Sequence, residues 1–368
     1  MTRSRIAHSN IASVPNLGRR NMIINGAMQV AQRGTSSTGV GASDGYFVCD
    51  RWNFAQATNA GRLTMTQDSS APSGFANSLK LACTTADTSI GADEAALIQH
   101  RIEGQNLQAF AKGTSDAKPF ALSFYVKGNA SATYTAELFD NDNSRGNGQL
   151  FNVTTDWTRV ELTFPADTTG AFDDDNAASL YFNIWLHAGS TYTGGTFTNG
   201  TWTATSNANV RVGDGTSFFD STSRTFFITG VQLETGNVAT PFEHRSFAEE
   251  FNLCKRYFQT LGYQYGDTIG ATNDYNGAID APILSTESGY NYFGGSQYPI
   301  QMRAQPTITI YARVSGTETA GKLIDFNGGG DLGNSSVTRI RANGYGYLQS
   351  ASGNNYGAVY RSVSNAEL

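Results

Sequence analysis

Few side chains in this sequence are spaced for bond-breaking chemistry. The four histidines, His8, His100, His187 and His244, lie far apart, and no H-x-x-x-H pair offers a metal two imidazoles from one helix face. No G-x-S-x-G turn lifts a serine nucleophile. Gly316-x4-Gly321-Lys322 imitates a phosphate loop, but Leu323 stands where that motif needs a hydroxyl for Mg2+, and LIDFNGGG follows in place of a helix. Asp140, Asp142 and Ser144 read as the first half of a calcium loop. Arg145 sits where the loop needs glycine, and Phe151 where it needs the closing acid. Asp173, Asp174 and Asp175 read as a second acidic turn. Glu137, Glu161 and Asp156 lie on or near strands whose outer faces could converge on a glycosidic bond. Arg159 could equally pair with either glutamate, as cross-strand ions do. These patterns point away from an enzyme.

Two other sets suit recognition. The first is the non-core side of the period-2 segments: Tyr125, Lys127, Thr133, Thr135, Glu137, Arg159, Glu161, Tyr181, Asn183, Trp185 and His187. Sugar rings present apolar C–H faces and hydroxyl rims, so an aromatic plate with donors and acceptors beside it can hold them in water. Tyr181, Asn183, Trp185 and His187 are therefore candidates for a glycan site, or for a subunit interface, where aromatics and arginine are also enriched. The second set is the tyrosines of two Gly/Asn-rich stretches, Tyr263, Tyr265 and Tyr275 in GYQYGDTIGATNDYNG, and Tyr345, Tyr347 and Tyr356 in NGYGYLQSASGNNYG. Tyrosine gives rigid amphipathic contact area, while Asn and Ser give adaptable hydrogen bonds, so these stretches read as loops of a distal recognition tip.

The elements that must position these residues are strands. Period-2 alternation is clearest in Phe120–Lys127, Thr133–Phe139, Thr158–Phe164 and Leu180–His187, where Leu180, Phe182, Ile184 and Leu186 share the core face. Asn21–Gln32, Tyr46–Phe54, Arg62–Gln67, Leu79–Cys83 and Glu94–Ile102 also read as strands. Residues 191 to 225 read as a long Thr/Gly/Asn-rich insert. Phe226–Leu233 is a strand broken at Gly230, as a bulge or close backbone approach would break it. Ser246-x-x-Glu249 is a capping box opening a helix. Phe247, Phe251, Cys254, Phe258 and Leu261 follow at spacings of four and three, a short seam that suggests a homotrimer axis. Strands then resume to the C-terminus, among them Ile300–Arg303, Thr307–Val314 and Tyr345–Gln349. The fold expected is all-β: a jelly-roll-like antiparallel sandwich over 21–240, a hinge and helix over 241–261, and a second, smaller β-sandwich over 262–368. Residues 1–20, with Arg3, Arg5, Arg19 and Arg20 and no acid, read as an extended anchoring arm for an acidic partner surface.

Three stretches carry a family resemblance. VQLETGNVATPFEHRSFAEEFNLCKRYF, NMIINGAMQVAQRGTS with YFVCDRW, and YPIQMRAQPTITI resemble the hinge, the opening and a late strand pair of bacteriophage tail-fibre and virion structural proteins. Phe251 and Phe258 stand where that pattern more often has Leu and Tyr. The resemblance implies a carbohydrate-module-like sandwich, assembly in the host cytoplasm into a virion, other tail or capsid proteins as partners, and a host surface glycan as ligand. It also implies a structural Ca2+ whose ligands it does not assign. Within the family the role expected is a non-catalytic tail fibre or receptor-binding adhesin. The alternatives are a capsid- or tail-decorating protein with an assembly role and a glycan depolymerase.

Composition agrees. Charged residues are 15%, aromatic residues 12%, and 40 of 368 residues are glycine, a profile of turns and amphipathic strands and far from that of disorder. The net charge of −6 comes without a basic stripe, so no nucleic-acid partner is expected. Cys49, Cys83 and Cys254 show no paired spacing and suggest no disulfide framework. No apolar run is long enough for membrane insertion, and no apolar segment follows the N-terminal arginines as in a signal peptide.

Overall fold

The computed structural model describes residues 19–205, 210–262, 279–281, 283–287, 290–314, 317–325, 331–350 and 358–368. The chain opens with strands β1 (Ser36–Val40), β2 (Gly45–Tyr46), β3 (Asn53–Ala57), β4 (Arg62–Asp68), β5 (Ser78–Thr85) and β6 (Ala95–Glu103). It continues through β7 (Phe120–Gly128), β8 (Ala132–Asp140), β9 (Arg145–Val153), β10 (Thr158–Phe164) and β11 (Ala178–Ala188). A single helical turn α1 (Ser190–Thr193), the two-residue β12 (Thr203–Ala204) and β13 (Thr225–Thr235) complete the first unit.

These strands form two antiparallel sheets, ordered β1-β4-β5-β13-β7-β10 and β12-β9-β8-β11-β6-β3-β2. From β5 to β10 the chain passes repeatedly from one sheet to the other, the jelly-roll-like sandwich expected from the strand spacing. Alternation places Phe120, Leu122, Phe124 and Val126 of β7, and Leu180, Phe182, Ile184 and Leu186 of β11, in one core with no exposed surface. Burying each such side chain contributes about 1.5–3 kcal/mol, which sets the register of every strand.

Residues 21–32 do not form the expected strand. Asn25 diverts them by supplying side-chain partners to the backbone: Nδ2 donates to the carbonyls of Val30 and Asp50 at 2.8 and 2.9 Å, and Oδ1 accepts from Val30 N–H at 2.9 Å. Such local bonds compete with a ladder. The segment lies instead along a bulge in β13, where pairing with β7 shifts register between Thr229 and Gln232. Gly230 sits there at φ +63°, so Val231 N–H leaves the ladder and donates to Gly26 O at 3.0 Å. Gly26 has no room for a side chain, because a Cβ would overlap the Val231 carbonyl oxygen.

The helix α2 (Phe247–Lys255) starts as the capping box requires, with Ser246 Oγ accepting from Glu249 N–H at 3.2 Å. It is shorter than the seam implied. Phe258 and Leu261 belong to a strand, β14 (Phe258–Leu261), and Cys254 and Phe258 are buried within this same chain. Phe247, 45% exposed, stacks on Phe251 at 5.7 Å outside that core. The five residues thus form no continuous helical stripe, which removes the helical motive for a trimer. The second unit also begins at Phe258 rather than at 262.

That second unit adds β15 (Ile279–Ala281), β16 (Ile283–Glu287), β17 (Tyr290–Gln297), β18 (Thr307–Val314), β19 (Thr317–Ala320) and β20 (Lys322–Asp325). It ends with β21 (Asp331–Arg341), β22 (Gly344–Ser350) and β23 (Ala358–Asn365). The strands join in the order β16-β17-β22-β21-β20-β23-β18-β19, with β14 and β15 also pairing to β23, all antiparallel. Its smaller core includes Phe293, Tyr298, Met302, Ile310, Leu323 and Leu348. Gly321 turns β19 into β20, so the described part of the phosphate-loop imitation, from Thr317 on, is a strand, a one-residue turn and the start of the next strand. Residues 300–303, expected as a strand, are a connection held by Met302 N–H to Ala342 O at 2.8 Å and Arg303 N–H to Arg256 O at 2.8 Å.

Buried charges join the two units. Arg51, fully buried, lies over the Tyr257 ring at 3.5 Å and bonds to Glu367. Arg33 lies over Phe258 at 3.6 Å and donates to Glu367 at 3.0 Å. Glu103 pairs with Arg256 at 2.8 Å and lies 3.8 Å from Arg303. Burial would raise the Glu103 carboxyl, but hydrogen bonds from Arg256 and Tyr257 and the Arg256 charge hold it below the usual glutamate value.

Gly26→Ala should destabilise the folded chain by about 1–3 kcal/mol, because the Val231 backbone cannot move aside without opening β13. Denaturant unfolding at unchanged m-value checks this, with Gly39→Ala, a strain without an overlap, as the comparison.

Candidate functional site

The outer face of the β8–β11–β6 sheet carries a row of polar side chains in direct register. Asn53 pairs with Gln99, Gln99 with Asn183, and Asn183 with Glu137. Gln99 Nε2 donates to Asn183 Oδ1 at 2.9 Å, and Asn183 Nδ2 donates to Glu137 Oε2 at 2.9 Å. Trp185 Nε1–H donates to the same Glu137 oxygen at 2.8 Å. Arg211 closes the row from the insert after α1, donating from Nε to Oε1 and from Nη2 to Oε2, both at 2.8 Å. Glu137 is fully buried and accepts four hydrogen bonds, two of them from a guanidinium fork.

This arrangement corrects the reading of Trp185 and its neighbours as an open plate. Asn183, Trp185 and His187 are 1%, 4% and 2% exposed. The insert folds back over them, packing Tyr192 and Val212 against Trp185, while Ser217 Oγ meets His187 Nδ1 at 2.8 Å. Alternation identifies a second face; it does not say whether the chain later covers it.

Tyr181, one row along, stays half-exposed. Its ring meets Phe139 at 5.6 Å, and the Arg101 guanidinium lies 5.2 Å over it. On the far side Arg211 lies 4.5 Å over Phe139. Arg101 is oriented by Gln99 Oε1 at 2.5 Å and by the Leu368 carbonyl at 2.5 Å. The result is a shelf of two tilted aromatic rings between two guanidinium groups, each ring and each cation partly exposed. Beyond Trp185, a pocket of about 200 Å³ opens between Thr133–Thr135, His187 and residues 212–217. That is smaller than the roughly 300–1,000 Å³ usual for a ligand pocket.

Arg101, Phe139 and Arg211 were not among the candidates from sequence. Arg211 had a signal, being the lone basic residue between 188 and 223. A cation embedded in a neutral insert is the natural partner for an unpaired strand carboxylate.

The other candidates scatter. Tyr345 is a core residue of β22, with its hydroxyl in hydrogen-bond contact with the Tyr360 hydroxyl at 3.0 Å and Ser362 Oγ at 3.2 Å. Tyr347 is half-buried on the same strand, with Arg339 4.9 Å over its ring. Tyr263, Tyr265, Tyr275 and Tyr356 lie outside the described residues, as do Arg3 and Arg5. Arg19 and Arg20 bind this chain's own hinge. Arg19 N–H donates to Glu243 at 2.5 Å, and Arg20 reaches Pro241 O at 2.7 Å and Glu234 at 3.5 Å.

The calcium-loop imitation is satisfied by an ammonium group. Buried Lys112 Nζ sits 2.5 Å from Asp140 and 3.2 Å from Asp167, and donates to the Thr169 and Gly170 carbonyls at 2.8 Å each. Asp142 accepts from Asp173 N–H at 3.0 Å. Glu161 stands on the other sheet from Glu137 and pairs with Arg159 at 2.5 Å, so these two glutamates do not face one glycosidic bond. Cys49, Cys83 and Cys254 are buried free thiols. Among the described residues no helix is long and apolar enough to cross a membrane.

No family model and no curated protein matches this chain. Similar solved structures include a family 4 carbohydrate-binding module, with 13% identity, TM-score 0.31, and coverage of 57% of this chain and 97% of that one. A family 11 carbohydrate-binding module from Clostridium thermocellum, in complex with a β-1,3-1,4-mixed-linked tetrasaccharide, has 11% identity, TM-score 0.26, and coverage of 57% and 99%. The enzymatically active domain of tailspike protein 4 of bacteriophage CBA120 has 13% identity, TM-score 0.29, and coverage of 58% of this chain but only 21% of that one. Likenesses this distant decide nothing about the ligand of this chain.

Glu137→Gln should cost about 2–4 kcal/mol of stability. It leaves the largely buried Arg211 guanidinium without its countercharge, reduced from the value for a fully buried pair because Arg211 keeps 18% of its side chain in water. Chemical denaturation checks it, and the double variant Glu137→Gln/Arg211→Met should recover part of the loss.

Proposed function

We propose that this chain is a non-catalytic bacteriophage virion protein, of tail-fibre or adhesin type, that holds a host cell-surface glycan on the Tyr181–Phe139 shelf. The observation that carries the reading is the shelf itself. Two aromatic rings stay half-exposed while their strand neighbours Asn183 and Glu137 are buried, and Arg101 and Arg211 flank them with donors. Rings supply stacking for the C–H face of a sugar, and guanidinium groups supply hydrogen bonds to its hydroxyls or to an acidic substituent.

The shelf has the rigidity that weak, stacking-based binding needs. Tyr181 and Phe139 stand on paired central strands, Arg101 is fixed by Gln99, and Arg211 is fixed by Glu137. Little side-chain entropy is then lost on binding. The virion assignment rests on the sequence resemblance at the opening, hinge and late connection. Those same stretches build the junction of the two units: Asn25 and Arg51 from the opening, Glu250 and Tyr257 from the hinge, and Arg303 from the connection. A decorating protein of the capsid would share the junction but would not need the shelf.

Binding to a glycan array and to whole host cells tests the reading. Tyr181→Ala and Phe139→Ala should each weaken binding about 5–100-fold, corresponding to roughly 1–3 kcal/mol, with the fold intact. Tyr347→Ala should leave it unchanged, and no oligosaccharide product should be released. Unaltered adsorption in both shelf variants would remove the site from this face. Released product would make the protein a depolymerase.

A further inference from the structure

Beyond the buried end of the same sheet lies a donor set that the shelf does not use. His187 of β11, Glu94 immediately before β6, and Asp87 in the turn after β5 bring one ligand atom each within 4.8 Å of one another. His187 Nε2 is 3.2 Å from Glu94 Oε2, and its other nitrogen, Nδ1, is 2.8 Å from Ser217 Oγ. Ser217 is itself fixed, accepting from Phe219 N–H at 3.1 Å. Asp87 is 8% exposed. Its Oδ1 accepts from Ser89 N–H at 3.3 Å, while Oδ2 is buried without any hydrogen-bond partner. Among the described residues no lysine or arginine forms an ion pair with Asp87 or Glu94.

A buried carboxylate oxygen with neither donor nor cation is unfavourable, and here a second carboxylate and an imidazole lie within 4.8 Å. A divalent cation would give Asp87 Oδ2 a partner and replace the direct contact of His187 Nε2 with Glu94 Oε2, an oxygen that also accepts from Gly91 N–H at 2.9 Å. We propose that Asp87, Glu94 and His187 form a three-ligand site for Zn2+ or a similar borderline divalent metal, with water at the fourth position. Imidazole plus two carboxylates suits such a metal, whereas Ca2+ takes six to eight oxygens. Tetrahedral bonds of about 2.0–2.2 Å put ligand atoms roughly 3.4 Å apart, so the observed set needs only a modest contraction. Nδ1–H of His187 then donates to Ser217 Oγ, the outer partner that orients a ligating imidazole.

The site would pin the insert. Its first residues already rest on the Asp87–Glu94 turn, with Gly189 N–H donating to Glu94 O at 2.8 Å, Thr191 N–H to Ala92 O at 3.0 Å, and Thr191 Oγ1 to Asp93 at 2.6 Å. Ser217 closes its far end. The metal would therefore join both ends of the segment that carries Arg211, whether or not the shelf binds glycan.

The test uses the full chain without a histidine tag, stripped with chelator and titrated calorimetrically with ZnCl2 and separately with CaCl2. One Zn2+ should bind per chain at micromolar affinity or tighter, raising Tm, and CaCl2 should give no comparable uptake. Asp87→Asn keeps the oxygen that faces Ser89 and should weaken Zn2+ at least tenfold, as should His187→Gln. For any variant that does not fold, anomalous scattering from Zn2+ in wild-type crystals, placed between the three side chains, decides instead. No stoichiometric Zn2+ uptake, tighter Ca2+ than Zn2+, uptake unchanged in Asp87→Asn, or an anomalous peak elsewhere would overturn the proposal.

Discussion

A glutamate sits where water cannot reach it, and much of the first unit follows from satisfying it. Glu137 is held in the middle of a central strand by the register of β8 with β11. Asn183 and Trp185 give its carboxylate neutral donors, but a fully desolvated charge also needs a cation. Arg211 provides it from an insert of low intrinsic preference for any structure, and so the insert must close over this end of the sheet. Closure buries Trp185 and leaves Tyr181 and Phe139 as the open edge. The position of the shelf is thus a consequence of how one carboxylate is neutralised.

The junction of the two units obeys the same rule with more partners. Arg51 and Arg33 of the first unit share Glu367 of the second, and each guanidinium also covers a ring, Tyr257 of the hinge and Phe258 at the start of β14. Asn25 N–H donates to Glu250 of the helix at 2.6 Å. Breaking any one of these leaves a buried charge or amide unpaired, so the contacts act together. The junction also reaches the shelf, because the Leu368 carbonyl is one of the two groups that orient Arg101. The second unit therefore contributes to the geometry of the first unit's open face.

What was legible in the sequence were features with a local cause. Strict alternation marked β7, β8, β10 and β11; Gly230 marked a bulge; Ser246 marked a helix start. Features set by distant parts of the chain were not legible. The burial of Trp185 depends on Arg211 and Val212, about 26 positions later. The end of α2 depends on Phe258 pairing with Asn365, which a 4-3 spacing of apolar residues cannot report. β9 was missed because the polarity of RGNGQLFNV, Arg145 to Val153, hides a strand whose Gly148 leaves space for Phe197 and Arg211 O. Asn343-Gly344 looked like a flexible loop, yet it closes a hairpin whose Tyr345 points into the second core. On the shelf, only Tyr181 was found in advance; Arg101, Phe139 and Arg211 became neighbours through cross-strand register and the returning insert.

The most direct test is a structure of the chain with the bound host oligosaccharide, identified first by array. The account predicts a sugar ring against Tyr181 and Phe139, with hydroxyl or acidic groups within hydrogen-bond reach of Arg101 and Arg211. A sugar seated on the second unit, with the shelf vacant in the same crystal, would contradict it.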